Sequence, residues 1–265
     1  MASRRTLIPW LIICYAFLYL PVVFLTSFSF NDSRSVTTWS GFSMRWYRAL
    51  ARDGPLLEAA ALSLRIAIVS ATLALLAGTA SGFILARAGR FTGRTIWETA
   101  LFAPLILPDV ITGLALLLLF VVMEQAIGWP AGRGAVTVTI AHASMAAAYA
   151  AIVVRARLID TGTAAEDAAA DLYAPPWKVF VCVTLPMLTP ALLSGWLLAF
   201  TLSLDDVVAA SFTSGPGATT LPMFVLSETK RGVTPEIYAL ASVILGWVAS
   251  GCAVAAVWRF RKRGP

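Results

Sequence analysis

The sequence predicts an all-α membrane protein with six transmembrane helices, from its composition, its long apolar segments and its basic loops. Hydrophobic residues make up 59% of the 265 residues and charged residues only 13%, and the mean hydropathy is +0.80. A soluble domain of this length has too little core to bury so much apolar surface. Apolar segments long enough to cross about 30 Å of hydrocarbon recur along the chain, and basic residues lie between them.

A single transmembrane domain over residues 1–265 is predicted. Its six spans cover about 7–30, 62–86, 99–123, 134–156, 183–206 and 237–258. Each provides the roughly 20 residues that a crossing helix needs, although the third is interrupted by Asp109. The first span is longer than the apolar region of a cleavable signal peptide, about 7–15 residues, so it is predicted to be a retained helix.

The basic residues predict that both termini face the cytoplasm. Loops rich in Lys and Arg stay on the cytoplasmic side of a membrane. With the N-terminus inside, 12 of the 20 basic residues lie in inner segments and 7 in outer ones, and Arg65 lies at a helix edge. This topology accounts for the net charge of +6, so nucleic-acid binding is not expected.

The chemical inventory argues against an enzyme or a metalloprotein. His142 is the only histidine, and Cys14, Cys182 and Cys252 show no C-x-x-C spacing, so neither a zinc site nor a disulfide framework is indicated. His142 is interpreted as a helix-packing residue. No G-x-S-x-G elbow and no G-x-x-x-x-G-K-[ST] loop occurs. Any ATP hydrolysis must therefore come from another polypeptide.

A short helix-turn-helix is predicted between the fourth and fifth spans, over about 160–182. An alanine-rich helix begins near Ala164, and Glu166 and Asp167 in its first turns complement the helix dipole. Pro175 and Pro176 stop this helix, and a second helix begins at the prolines and leads into the next span.

This segment resembles the coupling segment of type I ABC importer permeases, through EDAAADLYA at 166–174 and the Leu-Pro pair at 185–186. The resemblance implies that family's fold and a cytoplasmic coupling helix that docks on an ATPase. The coupling residues carried over are Glu166, Asp167, Ala168, Ala169, Asp171, Tyr173 and Pro186.

Two positions depart from the family pattern: Asp167, and Tyr173 in place of the usual glycine. A tyrosine is expected to avoid the positive φ that glycine accepts there, and the two prolines are an alternative way to make the turn.

Longer segments resemble the permeases of spermidine/putrescine import systems, especially the putrescine type. They are LPDVITGLALLLLF (107–120), GWLLAFTLSLDDVVAASFTSGPGATTLPM (195–223) and GVTPEIYALASVILG (232–246). The resemblance implies a polyamine permease in a bacterial inner membrane, with no cofactor on this chain. Its implied partners are a cytoplasmic ATPase in two copies that uses ATP and Mg²⁺, a second homologous permease, and an extracytoplasmic polyamine-binding protein, which the outer loop 213–236 is expected to meet.

Three acidic residues in or beside predicted spans are candidates for a cation pathway. An ammonium group in a low-dielectric bundle needs carboxylates or aromatic faces to replace its water. Asp205 and Asp206 end the fifth span and Asp109 lies in the third. Trp196 and Phe200 lie one turn apart on the fifth span and are further candidates. Capping of a helix end, or pairing with Arg65 or a partner chain, is the alternative role for the acids, and packing is the alternative for the aromatics.

Other transport functions remain open at this stage. One alternative is a permease for another small cationic or organic solute. A self-contained secondary transporter is a second alternative, but such proteins often contain internal repeats, and no convincing repeat relates the two halves of this sequence.

Reporter fusions test the orientation. Fusions after Arg94, after Lys178 and at Pro265 are expected to report a cytoplasmic location, because they follow the basic inner segments. Fusions near Arg48, Arg133 and Lys230 are expected to report the outside. The reversed pattern would overturn both the charge argument and the cytoplasmic placement of segment 160–182.

Overall fold

A computed structural model describes the backbone of residues 4–35, 38–232 and 235–262. Side chains are described over the same ranges except at 4–7, 231, 252 and 254–262, so the side chain of Cys252 lies outside them. Regular structure in the described ranges is helical, with one isolated bridge between Asn31 and Phe42. The all-α class is confirmed.

Twelve helices follow one another along the described chain. They are α1 (Arg4–Phe28), α2 (Arg45–Leu50), α3 (Gly54–Arg87), α4 (Arg94–Ile106), α5 (Asp109–Ile127), α6 (Ala135–Thr161), α7 (Ala164–Asp171), α8 (Pro176–Val179), α9 (Leu185–Asp205), α10 (Val208–Thr213), α11 (Leu221–Arg231) and α12 (Pro235–Lys262). A π-helical turn, Phe180–Thr184, joins α8 to α9.

Five helices in the described ranges are long and apolar enough to cross a membrane, and Pro235–Gly251 of α12 forms a shorter apolar helix. These helices match the six predicted spans in order. The third span needs a correction, because the chain breaks inside the predicted 99–123. Leu107, which precedes a proline, is extended with ψ 141°, so the apolar crossing is α5, from Asp109 to Ile127.

The chain divides into two compact units, and each is described by itself. The first contains residues 1–57 and 225–265, in which α12 contacts α1 and α2. Asn31 organises the loop after α1: its Nδ2 donates to the carbonyl of Thr38 at 2.7 Å, and its Oδ1 accepts the N–H of Ser40 at 2.9 Å. The indole of Trp46 donates to the Asn31 carbonyl at 2.7 Å. These bonds connect the described parts of the loop on both sides to the Asn31 side chain and backbone.

The second unit, residues 58–224, is built around α6. One face of α9 carries small residues at Ala191, Gly195, Ala199 and Ser203, and it packs against alanines of α6. On α3, Gly78 and Gly82 lie one turn apart against the α6 backbone. Small residues let membrane helices approach closely, which matters because lipid supplies no hydrophobic driving force between them.

Gly78 provides a test of this packing. A Cβ at Gly78 would lie 2.6 Å from Ala150 Cβ and 2.7 Å from the Ala147 carbonyl oxygen, so Gly78→Val forces α3 and α6 apart. We expect it to destabilise the folded protein by about 1–3 kcal/mol, as overpacking does, measured as a lower thermal midpoint in detergent. Gly246→Val on α12, where a Cβ meets nothing within 4 Å, is the control. Equal midpoints for the two variants would contradict the close approach.

Candidate functional site: an acidic cavity at a broken helix

The second unit contains a cavity of about 410 Å³ at the point where α9 ends. Residues of α5, α6 and α9 and of the turn into α10 line it. The polar members of this lining are Asp109, His142, Tyr149, Ser203, Asp205 and Asp206. All three acidic residues predicted for a cation pathway therefore meet in one cavity.

The cavity exists because the fifth crossing is interrupted. α9 ends at Asp205, Asp206 is extended with ψ 125°, and α10 begins at Val208. The short α10 packs against α5, where a Cβ added at Gly113 would lie 2.8 Å from the Phe212 ring. This contact brings the start of α5, which carries Asp109, to the interruption.

Asp206 holds the interruption together. Its Oδ1 accepts the N–H of Ala209 at 3.2 Å and its Oδ2 accepts the N–H of Ala210 at 2.8 Å. Free N–H groups at a helix start favour a carboxylate, because they are unsatisfied donors at the positive end of the helix dipole. Of the two roles considered for Asp206, the structure shows the capping of a helix end.

A polar network on three helices holds the same carboxylate from the other side. Nε2 of His142, on α6, lies 2.9 Å from Asp206 Oδ2, and Nδ1 lies 2.7 Å from the hydroxyl of Ser203 on α9. Ser70, on α3, donates to Ser203 at 3.0 Å. Ser203 can donate to Nδ1, which places the Nε2 proton on the side of Asp206. Nε2 and Asp206 Oδ2 are close enough for an ion pair but do not have the geometry of a hydrogen bond. His142 is buried, 4% exposed, and lies between the Ser203 hydroxyl and the Asp206 carboxylate.

The carboxylates of Asp205 and Asp109 differ from that of Asp206 in their exposure and in their hydrogen bonds. Both are exposed to the cavity. Neither carboxylate has an ion-pair partner or a hydrogen bond to another residue among the residues that the structure describes. An uncompensated carboxylate in or beside a span is costly, and two of them in one cavity attract cations.

The two predicted aromatic residues do not line the cavity. Trp196 and Phe200 stack with ring centroids 5.1 Å apart and pack against the buried alanines of α3, α6 and α9. The Trp196 indole donates to the Thr72 hydroxyl at 3.1 Å. The aromatic residue in the cavity is Tyr149, which sequence reasoning missed. The clue in the sequence was the position of Tyr149 two helical turns after His142, on the same face of α6.

The segment that resembles a coupling helix forms a capped helix with an exposed apolar end. Tyr173 has a left-handed backbone with φ 59°, so the expectation that a tyrosine avoids this conformation is wrong. The N–H of Ala174 bonds to the Ala169 carbonyl at 3.2 Å, and that of Tyr173 bonds to Ala170 at 2.8 Å. This is the hydrogen-bond pattern of a Schellman motif, and it compensates the strain.

The side chains of this segment divide into two groups. Asp167, Ala168, Asp171 and Pro186 are exposed, whereas Glu166 and Ala169 are half-buried. The largest exposed apolar side chains of the segment are Leu172 (83% exposed), Tyr173 (94%) and Trp177 (64%).

Comparison with known proteins decides the family. Residues 78–259 match the model of the binding-protein-dependent transport system inner membrane component. The chain belongs to this family. As an inner membrane component it is a multi-pass membrane protein, which confirms the predicted location and the recognition of an ABC importer permease.

Relatives and a solved structure agree. The chain is 53% identical to the putrescine transport system permease protein PotI of Escherichia coli K12, over 91% of this chain and 87% of that protein. It is 37% identical to the spermidine/putrescine permease protein PotC of Haemophilus influenzae, over 89% of each. It shares its fold with a chain of a bacterial ABC transporter that imports the acidic polysaccharide alginate, with a TM-score of 0.68, 14% identity and 98% coverage of both chains.

The two neighbouring aspartates of this inner membrane component are expected to affect stability differently. Asp206→Ala removes two N–H acceptors and the partner of His142, so we expect a loss of about 1–3 kcal/mol, the size of a lost cap and charged hydrogen bonds. Asp205→Ala removes no bond to another residue and serves as the matched control. Thermal unfolding of the purified protein measures both. An Asp205→Ala variant as unstable as Asp206→Ala would contradict this division of roles.

Proposed function

We propose that this chain is the membrane-spanning permease subunit of an ATP-driven putrescine importer and forms half of its translocation pathway. The observation that carries the proposal is the cavity in which Asp205 and Asp109 have no partner among the described residues. Putrescine carries an ammonium group at each end. The 53% identical relative described as a putrescine transport permease supports the same substrate.

The cavity fits the chemistry of such a dication. An ammonium entering the protein loses water, and a carboxylate replaces that water with a charge-assisted hydrogen bond. Asp205 and Asp109 supply two negative charges, and the face of Tyr149 is a further site for a cation. Asp206 is already bound to His142 and α10, so in this proposal it keeps the cavity in shape while Asp205 and Asp109 receive the substrate.

A longer polyamine is the second candidate substrate, because relatives at 37% identity are described as spermidine/putrescine permeases. Uptake competition between putrescine and spermidine separates the two. A self-contained secondary transporter is disfavoured, because the family depends on a binding protein.

The partners follow from the family and from the exposed surfaces. We propose that α7 and the turn after it face the cytoplasm and dock on an ATPase, which is present in two copies and uses ATP and Mg²⁺. The exposed apolar side chains of Leu172, Tyr173 and Trp177 support this, because a cluster of large apolar side chains on a protein surface outside the membrane marks a contact with a partner protein. A second homologous permease completes the pathway, and an extracytoplasmic polyamine-binding protein delivers the substrate at the opposite face.

The substrate role of Asp205 is tested by Asp205→Asn, which keeps the shape of the side chain and removes its charge. We expect putrescine uptake to fall about tenfold or more, since a charge-assisted hydrogen bond contributes about 1.5–3 kcal/mol. Asp160→Asn, at the far end of α6 and outside the cavity lining, is the control and should transport normally. Wild-type uptake by an assembled Asp205→Asn importer would remove Asp205 from the pathway.

The docking role is tested by Leu172→Glu, which adds a charge to the exposed apolar turn. We expect the ATPase to be lost from the purified complex, because an interface core excludes unpaired charge. Ala88→Glu adds the same charge at an exposed position after α3 and should leave the complex intact. If the ATPase stays bound to Leu172→Glu and uptake is normal, the turn is not the docking surface.

A further inference from the structure

Arg87, the last residue of α3, ties together the ends of three helices. Its Nη1 donates to the Leu158 carbonyl at 3.1 Å and its Nη2 donates to the Gly162 carbonyl at 2.6 Å, both at the end of α6. Its Nε donates to Glu166 Oε2 on α7 at 2.9 Å. The planar guanidinium can make these contacts at once because its donors form a rigid fork.

Glu166 extends this junction to a fourth helix. Its Oε1 accepts a hydrogen bond from the Thr184 hydroxyl at 2.8 Å. Thr184 is buried, 3% exposed, and it ends the π-helical turn that leads into α9. A single ion pair therefore links α3, α6, α7 and α9.

The junction is too well enclosed to open without cost. The side chains of Arg87 and Glu166 are 16% and 18% exposed. Removing one partner of an enclosed pair leaves the other as an uncompensated charge. The junction therefore connects α7 to the ends of α3, α6 and α9.

Those three helices are the ones that hold the cavity network. Ser70 lies on α3, His142 on α6, and Ser203 and Asp205 on α9. The junction at Leu158 lies about 24 Å along α6 from His142, at 1.5 Å per residue, so rigid helices connect the two places.

We propose that the Arg87–Glu166–Thr184 junction is the joint that transmits movement of α7 to the helices around the acidic cavity. Glu166 then acts inside the chain, as a positioning residue. The proposal rests on the proposed function, in which α7 docks on the ATPase, and it adds the route by which that contact reaches the cavity.

A double-mutant cycle in the intact importer tests the joint. The variants are Arg87→Gln, Glu166→Gln and the double variant, and the readout is the number of putrescine molecules taken up per ATP hydrolysed. We expect each single variant to lower this ratio about tenfold, the size of the coupling energies within one ion-pair network. The double variant should be no worse than either single variant, because both remove the same joint.

Controls separate this inference from the proposed function. Arg90→Glu changes an exposed basic residue three positions from Arg87 and should keep the wild-type ratio. The ATPase must co-purify with every variant. If the wild-type importer took up no putrescine or did not bind the ATPase, that result would contradict only the proposed function. If the glutamine variants do not assemble, the same cycle is run with Arg87→Lys and Glu166→Asp.

Two results would overturn the joint. If the losses of Arg87→Gln and Glu166→Gln multiply in the double variant, the two residues act on separate partners, as they would if Glu166 contacted the ATPase. An unchanged ratio in both single variants would show that α7 reaches the cavity by another route.

Discussion

The structure depends on one physical constraint, which is that hydrocarbon offers no hydrogen bonds to a polar group. A buried donor or acceptor in a membrane span must find its partner inside the protein. Ser70, Ser203, His142 and Asp206 meet this demand together, in a network that joins three crossing helices and the start of α10. An interrupted span is tolerated here because its free N–H groups are capped by Asp206. The carboxylates of Asp205 and Asp109 face an open cavity instead.

Close helix packing determines where this network forms. Gly78, Gly82 and Gly195 let α3 and α9 lie against the alanines of α6, and only at that separation do short side chains such as serine reach across. The same bundle explains how a distant segment can act on the cavity. Its helices are rigid over tens of ångströms, and the Arg87 guanidinium joins their ends beside α7.

Much of the architecture was predictable from the sequence, for identifiable reasons. Twenty apolar residues in a row have few alternatives to crossing a membrane, so the order of the spans was found correctly. The third span was misplaced, because hydropathy does not register that Leu107-Pro108 breaks a helix. Tyr173 was misjudged because the general preference for glycine at a positive φ was applied without the two Schellman hydrogen bonds that compensate the strain.

The acidic residues of the site were found because a carboxylate in a span stands out against its neighbours. The different roles of Asp205 and Asp206 were not predicted from the sequence. They depend on contacts between distant segments, such as that between His142 and Ser203, which are 61 positions apart. Nothing local distinguishes Asp205 from Asp206. Likewise, Glu166 and Arg87 are 79 positions apart, and neither of their segments contains a pattern that predicts the ion pair.

The central claim is that the unpaired carboxylates of the cavity receive the substrate while Asp206 maintains the cavity. A structure of the assembled importer, trapped with putrescine by an ATPase that cannot hydrolyse ATP, tests it most directly. The account predicts an ammonium group within about 3 Å of the Asp205 carboxylate, with Asp206 still bound to His142. Putrescine bound elsewhere in the pathway, or an Asp206 that leaves His142 to hold the substrate, would contradict it.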